Sequence, residues 1–176
     1  MKKIITLAGS SSKKSINKQL AEYTASLMQD VEILNLDLND YQLPLYSIDV
    51  ENDNGFPPDL LILDQIIENT DGIVLSLAEH NGAYSVVFKN AFDWLSRING
   101  KVWKNKPMLL LSTSPGARGG QSVMDIALNR FPFNGGNIIG STTFPSFNDN
   151  FKNGKVENLT LNKKLVALTK DLIKTL

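Results

Sequence analysis

The sequence predicts an open, doubly wound α/β domain: a five-stranded parallel sheet in the order 2-1-3-4-5 with helices on both faces. Three observations carry that expectation. Five short, nearly unbroken apolar runs alternate with five amphipathic stretches. Divided among five units, the 176 residues leave about 35 each, the size of a βα repeat. Five strands are also too few for an eight-stranded barrel, which leaves the open sheet. Apolar runs without polar alternation suit strands covered on both faces, as parallel strands are. A single domain over 1–176 accommodates them all.

The elements follow in order. Ile4 to Ala8, β-branched and apolar and stopped by Gly9, reads as the first strand. From Asn17 to Gln29, Leu20, Ala21, Leu27 and Met28 recur at three- and four-residue spacing, with Ile16 and Thr24 between them, which predicts an amphipathic helix. Val31 to Leu36 is the second strand, followed by a loop containing Pro44, Asp49, Asn52, Asp53, Asn54 and Gly55. The next helix opens after Pro57-Pro58, where a proline suits the first turn, and buries Leu60, Leu63, Ile66 and Ile67. Ile73 to Leu77 is the third strand, and Val86 to Ile98 a helix with Val87, Ala91, Trp94, Leu95 and Ile98 as its stripe. Met108 to Leu111 gives the fourth strand, Gln121 to Phe131 a helix, and Ile138-Ile139 a short fifth strand. After a polar stretch from Ser146 to Asn158, Leu161, Leu165, Leu168, Leu172 and Leu176 mark the final helix.

Composition narrows the function. Eighteen Lys and Arg balance eighteen Asp and Glu, so no net charge draws the chain to nucleic acid or to an anionic membrane. No apolar run approaches the roughly 20 residues of a membrane span, and the apolar start at Ile4-Ile5 is too short for a signal-peptide core. Without cysteine there is no disulfide, thiolate metal site or cysteine nucleophile, and the cytoplasm is the natural compartment. His80 is the only histidine and no G-x-S-x-G element is present, which argues against a hydrolase triad.

In a sheet of this order, ligands bind beyond the C-terminal strand ends where the winding reverses. Three loops should meet there: Gly9 to Asn17, Ala78 to Ser85, and Ser112 to Gly120. The first fits neither a dinucleotide fingerprint nor a P-loop. It offers the hydroxyls of Ser10, Ser12 and Ser15, the Asn17 amide and free N–H groups at a helix start, with Lys13, Lys14 and Lys18 nearby. That set can surround a terminal phosphate dianion; it can equally be a Ser-rich turn that caps the helix.

Five blocks carry a resemblance over nearly the whole chain. Gly9-Ser10-x-x-x-x-Ser15-x-Asn17 is followed by Leu43-Pro44-Leu45-Tyr46. Glu79-x-Asn81-Gly82 then leads into Lys89-Asn90-Ala91-x-Asp93-Trp94-Leu95, and Ser112-x-Ser114-Pro115-Gly116-x-x-Gly119-Gly120 closes the set. In order and spacing they resemble the NADPH-dependent FMN reductase family, a flavodoxin-like group that includes azo, quinone and chromate reductases. The resemblance implies FMN held non-covalently, NADPH or NADH as cosubstrate, a small-molecule electron acceptor, and a homodimer or a dimer of dimers. It places the cofactor against Ser10, Ser12, Ser15, Ile16 and Asn17, then Glu79, His80, Asn81 and Gly82, then Ser112, Ser114, Gly116, Gly119 and Gly120. Chemistry runs on the flavin, so no protein residue is catalytic in its own right.

Each block also has a plainer reading. Asn81-Gly82 is a tight-turn dipeptide, Ser112 to Gly120 can be a flexible loop, and Trp94 sits on a stripe that suits core packing or a subunit contact better than cofactor stacking. Arg118 either receives a nucleotide phosphate or is solvated. This chain has Ser12 where the family usually has Arg, and His80 where it usually has Tyr. The first difference removes a bidentate phosphate partner and leaves lysines as point charges; the second offers less stacking area. A flavodoxin-like electron carrier without a pyridine-nucleotide site is the alternative, although such carriers are strongly acidic and this chain is neutral.

Overall fold

Every residue from Met1 to Leu176 is described by the computed structural model. Along the chain run β1 (Lys2–Gly9), α1 (Ile16–Ser26), β2 (Val31–Leu36), α2 (Ile48–Asn54), α3 (Pro58–Glu68), β3 (Gly72–Leu77), β4 (Glu79–His80), β5 (Ala83–Tyr84) and α4 (Val86–Ile98). They are followed by β6 (Pro107–Thr113), α5 (Gln121–Arg130), β7 (Asn137–Phe144), α6 (Phe147–Asn150), β8 (Phe151–Lys152), β9 (Lys155–Val156) and α7 (Leu159–Ile173). The main sheet has the order β2-β1-β3-β6-β7, every pair parallel, which is the expected 2-1-3-4-5 winding of a flavodoxin-like fold.

Alternation across the sheet explains the unbroken apolar runs. Ile5 and Leu7 of β1, Ile73, Leu75 and Leu77 of β3, and Met108 and Leu110 of β6 enter the core under α3, α4 and α5. Ile4, Val74, Leu109 and Leu111 enter the opposite core under α1 and α7. Side chains on both faces of these runs are therefore apolar apart from the hydrogen-bonded Thr6 and Ser76. The edge strand β2 is the exception, with Ile33 and Leu34 exposed at 37% and 47%.

Three segments differ from expectation. β7 has eight residues rather than the two apolar ones anticipated, because Gly140 to Thr143 continue the ladder as glycine and hydroxyl positions, half-buried except for buried Thr142, that do not read as a strand. α2 lies in the expected loop; it buries no residue and so shows no period, and is held instead by the Ser47 cap on the Val50 N–H and by Arg97, which donates from Nε and Nη2 to the two Glu51 carboxylate oxygens at 2.8 and 3.2 Å. The polar stretch from Ser146 to Asn158 contains α6 and the β8–β9 hairpin, tied down by buried Phe147, Phe151 and Val156. Boundaries also move: the first helix ends at Ser26, and α5 stops at Arg130 where Phe131-Pro132 begins a 3-10 turn.

At the end of the sheet away from the site, Lys104 precedes β6. Its side chain is 8% exposed and its Nζ lies 2.8 Å from Asp64 and 3.4 Å from Glu68, both on α3. Lys104 and Asn105 both have left-handed backbone, with φ of 51° and 57°, a conformation held by the Asn105 N–H donating to Gly135 O. Lys104→Met should cost about 2 kcal/mol, because Asp64 loses its cation while mostly enclosed. Urea unfolding checks this, and wild-type stability in the variant would show the pair to be worth nothing net.

Candidate functional site

The register brings three strand ends side by side: Gly9 of β1 pairs with Leu77 of β3, and Leu77 with Ser112 of β6. Above them opens a cleft of about 250 Å³. Ser10, Ser12, Lys14, Ser15, Ile16 and Asn17 form one wall, Ala78, Glu79 and His80 a second, and Thr113, Ser114 and Pro115 the third. One cleft thus collects all three loops, as the winding requires.

The first wall is rich in uncommitted donors. Ser15 caps α1, its Oγ accepting from the Lys18 N–H at 3.2 Å, while the N–H groups of Ile16 and Asn17 have no partner in the chain. Ser10 Oγ accepts from the Ser12 N–H, which leaves its proton free, and the Ser12 hydroxyl makes no hydrogen bond. The two readings of this loop are compatible: Ser15 caps the helix start, and the Ser10, Ser12 and Ser15 hydroxyls still line the cleft with their protons uncommitted. Lys14 lines the wall. Lys18 does not contribute free charge, because its Nζ is 2.7 Å from Asp37. Burial opposes ionisation of Asp37, but its hydrogen bonds from Lys18 and Asn39 outweigh that and hold the carboxyl below its ordinary value; the Asp37 bond likewise raises Lys18.

Asn17 plays a different part from the one its sequence position suggested. Its side chain is buried, with Oδ1 accepting from Ser76 Oγ at 2.7 Å and from the Thr113 N–H at 3.1 Å, and Nδ2 donating to Thr113 O at 3.2 Å. The amide is a brace across the ends of β3 and β6; only the backbone N–H of Asn17 faces outward as a free donor.

The second wall is a β-hairpin. Glu79 pairs with Tyr84 and His80 with Ala83, leaving Asn81-Gly82 as a two-residue turn at φ of 51° and 77°, the turn for which Asn-Gly is favoured. Two strands of two residues cannot hold themselves, so the anchors matter. Glu79 Oε2 accepts from the Val123 N–H at 3.1 Å, satisfying the first turn of α5. Ser85 Oγ donates to Gly9 O at 2.7 Å. The Tyr84 ring stacks on Phe131 at 6.2 Å and 8°, backed by Phe88, Phe92 and Trp103. Burial pushes the Tyr84 phenol up to about 12, and its hydroxyl has no partner. His80 is exposed and borders the cleft, while Asn81 and Gly82 form the exposed tip beyond it.

In the third loop the expected cofactor contacts divide. Ser112 is fully buried and its Oγ donates to Gly119 O at 2.9 Å, so its side chain shapes the loop rather than lining the cleft. A Cβ on Gly119 would lie 2.8 Å from Phe144 C and 2.9 Å from Pro145 N, so only glycine lets this turn pass the end of β7. Gly120 is buried as well, beside Ser112, while Gly116 is exposed and unobstructed. Ser114 reaches the cleft, joined by Thr113 and Pro115, and Arg118 donates to Ser122 Oγ at 3.2 Å on the exposed face. Thr113 was not among the expected contacts; it lies two residues past the apolar run that marks the strand.

The other two sequence blocks turn out to be one device. Asn90 donates from Nδ2 to Leu43 O and Pro44 O and accepts from the Tyr46 N–H, and Trp94 Nε1 donates to Pro44 O at 2.7 Å. The fully buried Trp94 is therefore a core residue that clamps the Leu43 to Tyr46 segment.

Comparison with known proteins bears on what such a cleft does. The family model described as NADPH-dependent FMN reductase matches residues 2–150. A quinone reductase of Escherichia coli (strain K12) is 29% identical over 168 residues, covering 89% of each chain. A 2-hydroxy-1,4-benzoquinone reductase of a Burkholderia species is 40% identical over 119 residues, 66% of this chain and 63% of that protein. Among solved structures, FerB, a flavoenzyme NAD(P)H:(acceptor) oxidoreductase from Paracoccus denitrificans, has a TM-score of 0.79 at 26% identity and covers 99% of this chain and 96% of its own. By its fold, its ordered sequence blocks and the extent of the family match, the chain belongs to the NADPH-dependent FMN reductase family.

Proposed function

We propose that this protein passes electrons from NADPH or NADH through FMN to a quinone, with the FMN phosphate seated at the start of α1. The coarser part follows from the family: an NAD(P)H-dependent oxidoreductase that uses FMN. The quinone acceptor is suggested by the names of the relatives in Escherichia coli, Burkholderia and Arabidopsis thaliana. One observation supports the seat above all: donors exceed acceptors along the first wall, with two unpartnered N–H groups, free serine hydroxyl protons and Lys14, whereas the only carboxylate at the cleft, Glu79, is turned to Val123. Such a set suits a dianion at a helix N-terminus.

When bound there, FMN supplies two-electron exchange between nicotinamide and acceptor. The chain's own residues bind and orient. Ile16 and Asn17 N–H groups with the Ser10, Ser12 and Ser15 hydroxyls hold the phosphate; the backbone of Glu79 to Gly82 and of Ser114 to Gly116 offers the N–H and C=O groups that would fix a planar ring between two walls. Ser112, Gly119 and Gly120 serve the same site by holding the third loop in shape. A homodimer or a dimer of dimers, and a cytoplasmic setting, complete the proposal.

The purified protein tests it directly. Its visible spectrum and the pigment released by heat should identify FMN, and a quinone should sustain NAD(P)H oxidation better than an azo compound does. Recovery of FAD, or no quinone-dependent oxidation by the FMN-loaded protein, would overturn it.

Two variants probe individual residues. Ser12→Arg should tighten FMN about tenfold and flatten its salt dependence, since a bidentate pair replaces point charges. Titration at low and high salt checks this; equal affinities and equal slopes would place Ser12 outside the phosphate seat. His80→Ala should slow flavin reduction by NAD(P)H less than about tenfold, because hydride transfer requires no proton from the protein. Stopped-flow reduction isolates the step, and a thousandfold loss with FMN still bound would give His80 a chemical role.

A further inference from the structure

The chain contains five Asn-Gly pairs: Asn54-Gly55, Asn81-Gly82, Asn99-Gly100, Asn134-Gly135 and Asn153-Gly154. An asparagine before glycine can lose its side-chain amide when the next backbone nitrogen attacks the side-chain carbonyl carbon. Glycine makes the attack easy because it brings no side chain to block it. The reaction needs a free backbone N–H on the glycine and an asparagine side chain free to swing onto it, and the five pairs differ in both respects.

Three are guarded. Asn54 donates from Nδ2 to Val50 O, and the Gly55 N–H donates to Glu51 O at 2.8 Å. Buried Asn134 donates to Gly100 O, and the Gly135 N–H donates to Pro132 O. Asn99 is held by the Lys101 N–H, which donates to its Oδ1 at 2.8 Å. The remaining two are open. Asn81 and Asn153 are exposed hairpin-turn residues with φ of 51° each, their side chains make no hydrogen bond, and neither the Gly82 nor the Gly154 N–H has a partner.

We propose that Asn81, at the tip of the hairpin walling the cleft, is a spontaneous deamidation site that places a new negative charge at the mouth of the active site as the protein ages. The Gly82 amide nitrogen gives its proton to solvent base and bonds to Asn81 Cγ; the Cγ–Nδ2 bond breaks, and Nδ2 takes up a proton and leaves as ammonia. The resulting five-membered imide is opened by water at Cγ, giving aspartate, or at the main-chain carbonyl, giving isoaspartate. One water is consumed, one ammonia is released and no electrons are transferred. Asn153, in the turn between β8 and β9 with nearly the same φ values, lies outside the cleft lining and serves as a built-in reference.

The consequence for function rests on the proposed FMN seat. A carboxylate beside His80 repels the anionic dinucleotide, and isoaspartate adds a backbone atom that breaks the His80–Ala83 pairing. The KM for NAD(P)H should rise severalfold in the aged protein, and the rise should shrink at high salt.

The test is a peptide map of the protein aged in mildly alkaline buffer, with and without saturating FMN. Asn81 and Asn153 should show the one-dalton mass gain and isoaspartate at least about fivefold faster than Asn54 and Asn134, whose guarding hydrogen bonds must first break. Added FMN should slow Asn81 and leave Asn153 unchanged. Asn81→Ser, compared with its own starting activity, should lose less on ageing than the wild type. Conversion of Asn153 with Asn81 intact in FMN-free protein overturns the modification site. Conversion of Asn81 at a rate indifferent to FMN keeps the modification and overturns the placement of the hairpin against the cofactor.

Discussion

Asn17→Ala should lose about 3 kcal/mol of stability, since the substitution strands Ser76 Oγ and the N–H and C=O of Thr113, all buried, without their partner. The effect should not stay local. These groups tie the start of α1 to the ends of β3 and β6, so FMN affinity should fall as well, even though the side chain faces away from the phosphate. Asn17→Asp is the informative companion: it keeps the shape and the acceptor for Ser76, but sets a carboxylate oxygen against Thr113 O. Urea unfolding with an unchanged m-value measures the stability loss, and flavin titration the affinity. If alanine at 17 leaves both within error of wild type, the brace is replaced by solvent and the strand ends are held by the ladder alone.

Phe131→Ala should cost about 4 kcal/mol, within the range for truncating a fully buried phenylalanine. Its ring lies 4.9 Å from Trp103, 5.5 Å from Phe92 and 6.2 Å from both Phe88 and Tyr84, so no neighbour can close the space without moving another aromatic. Because Tyr84 is stacked directly on Phe131, the hairpin should loosen, and flavin affinity should fall more than in a control of equal stability loss such as Leu165→Ala in the opposite core. Equal affinities in the two variants would show that the hairpin does not depend on its aromatic support.

Most of the winding could be read from the sequence because burial on both faces leaves unbroken apolar runs, as in Ile73 to Leu77 and Met108 to Leu111. β7 was underestimated for the converse reason: an edge strand with one open side carries Ser141, Thr142 and Thr143, which look like loop residues. α2 left no apolar period because Val50 alone of its residues packs against the core, and an ion pair and the Ser47 cap hold the rest. At the site, the loops were identifiable from topology and residue type, whereas the direction of each side chain was not. Ser10 and Ser12 reach the cleft; Asn17 and Ser112, of the same polar character and in the same loops, turn inward to hold the backbone. That choice depends on which strand end lies alongside, a long-range fact absent from local sequence. The clamp that Asn90 and Trp94 place on the Leu43 to Tyr46 segment was hidden likewise, since their partner carbonyls lie 46 to 50 residues away.

The hairpin divides into a base and a tip with separate obligations. Its attachments are all at the base, through Glu79, Tyr84 and Ser85, while the side chains of His80 and Asn81 bond to nothing. Substitutions of the His80 side chain should be nearly neutral for folding and additive with changes in the core. A lineage could therefore exchange His80 to admit a different acceptor, and selection on chemistry there would proceed without selection on the fold, whereas the positive φ of Asn81 and Gly82 keeps those two positions to turn-forming residues. His80 stands at a position where the resemblance expects tyrosine and where none of the anchors below bonds to the side chain.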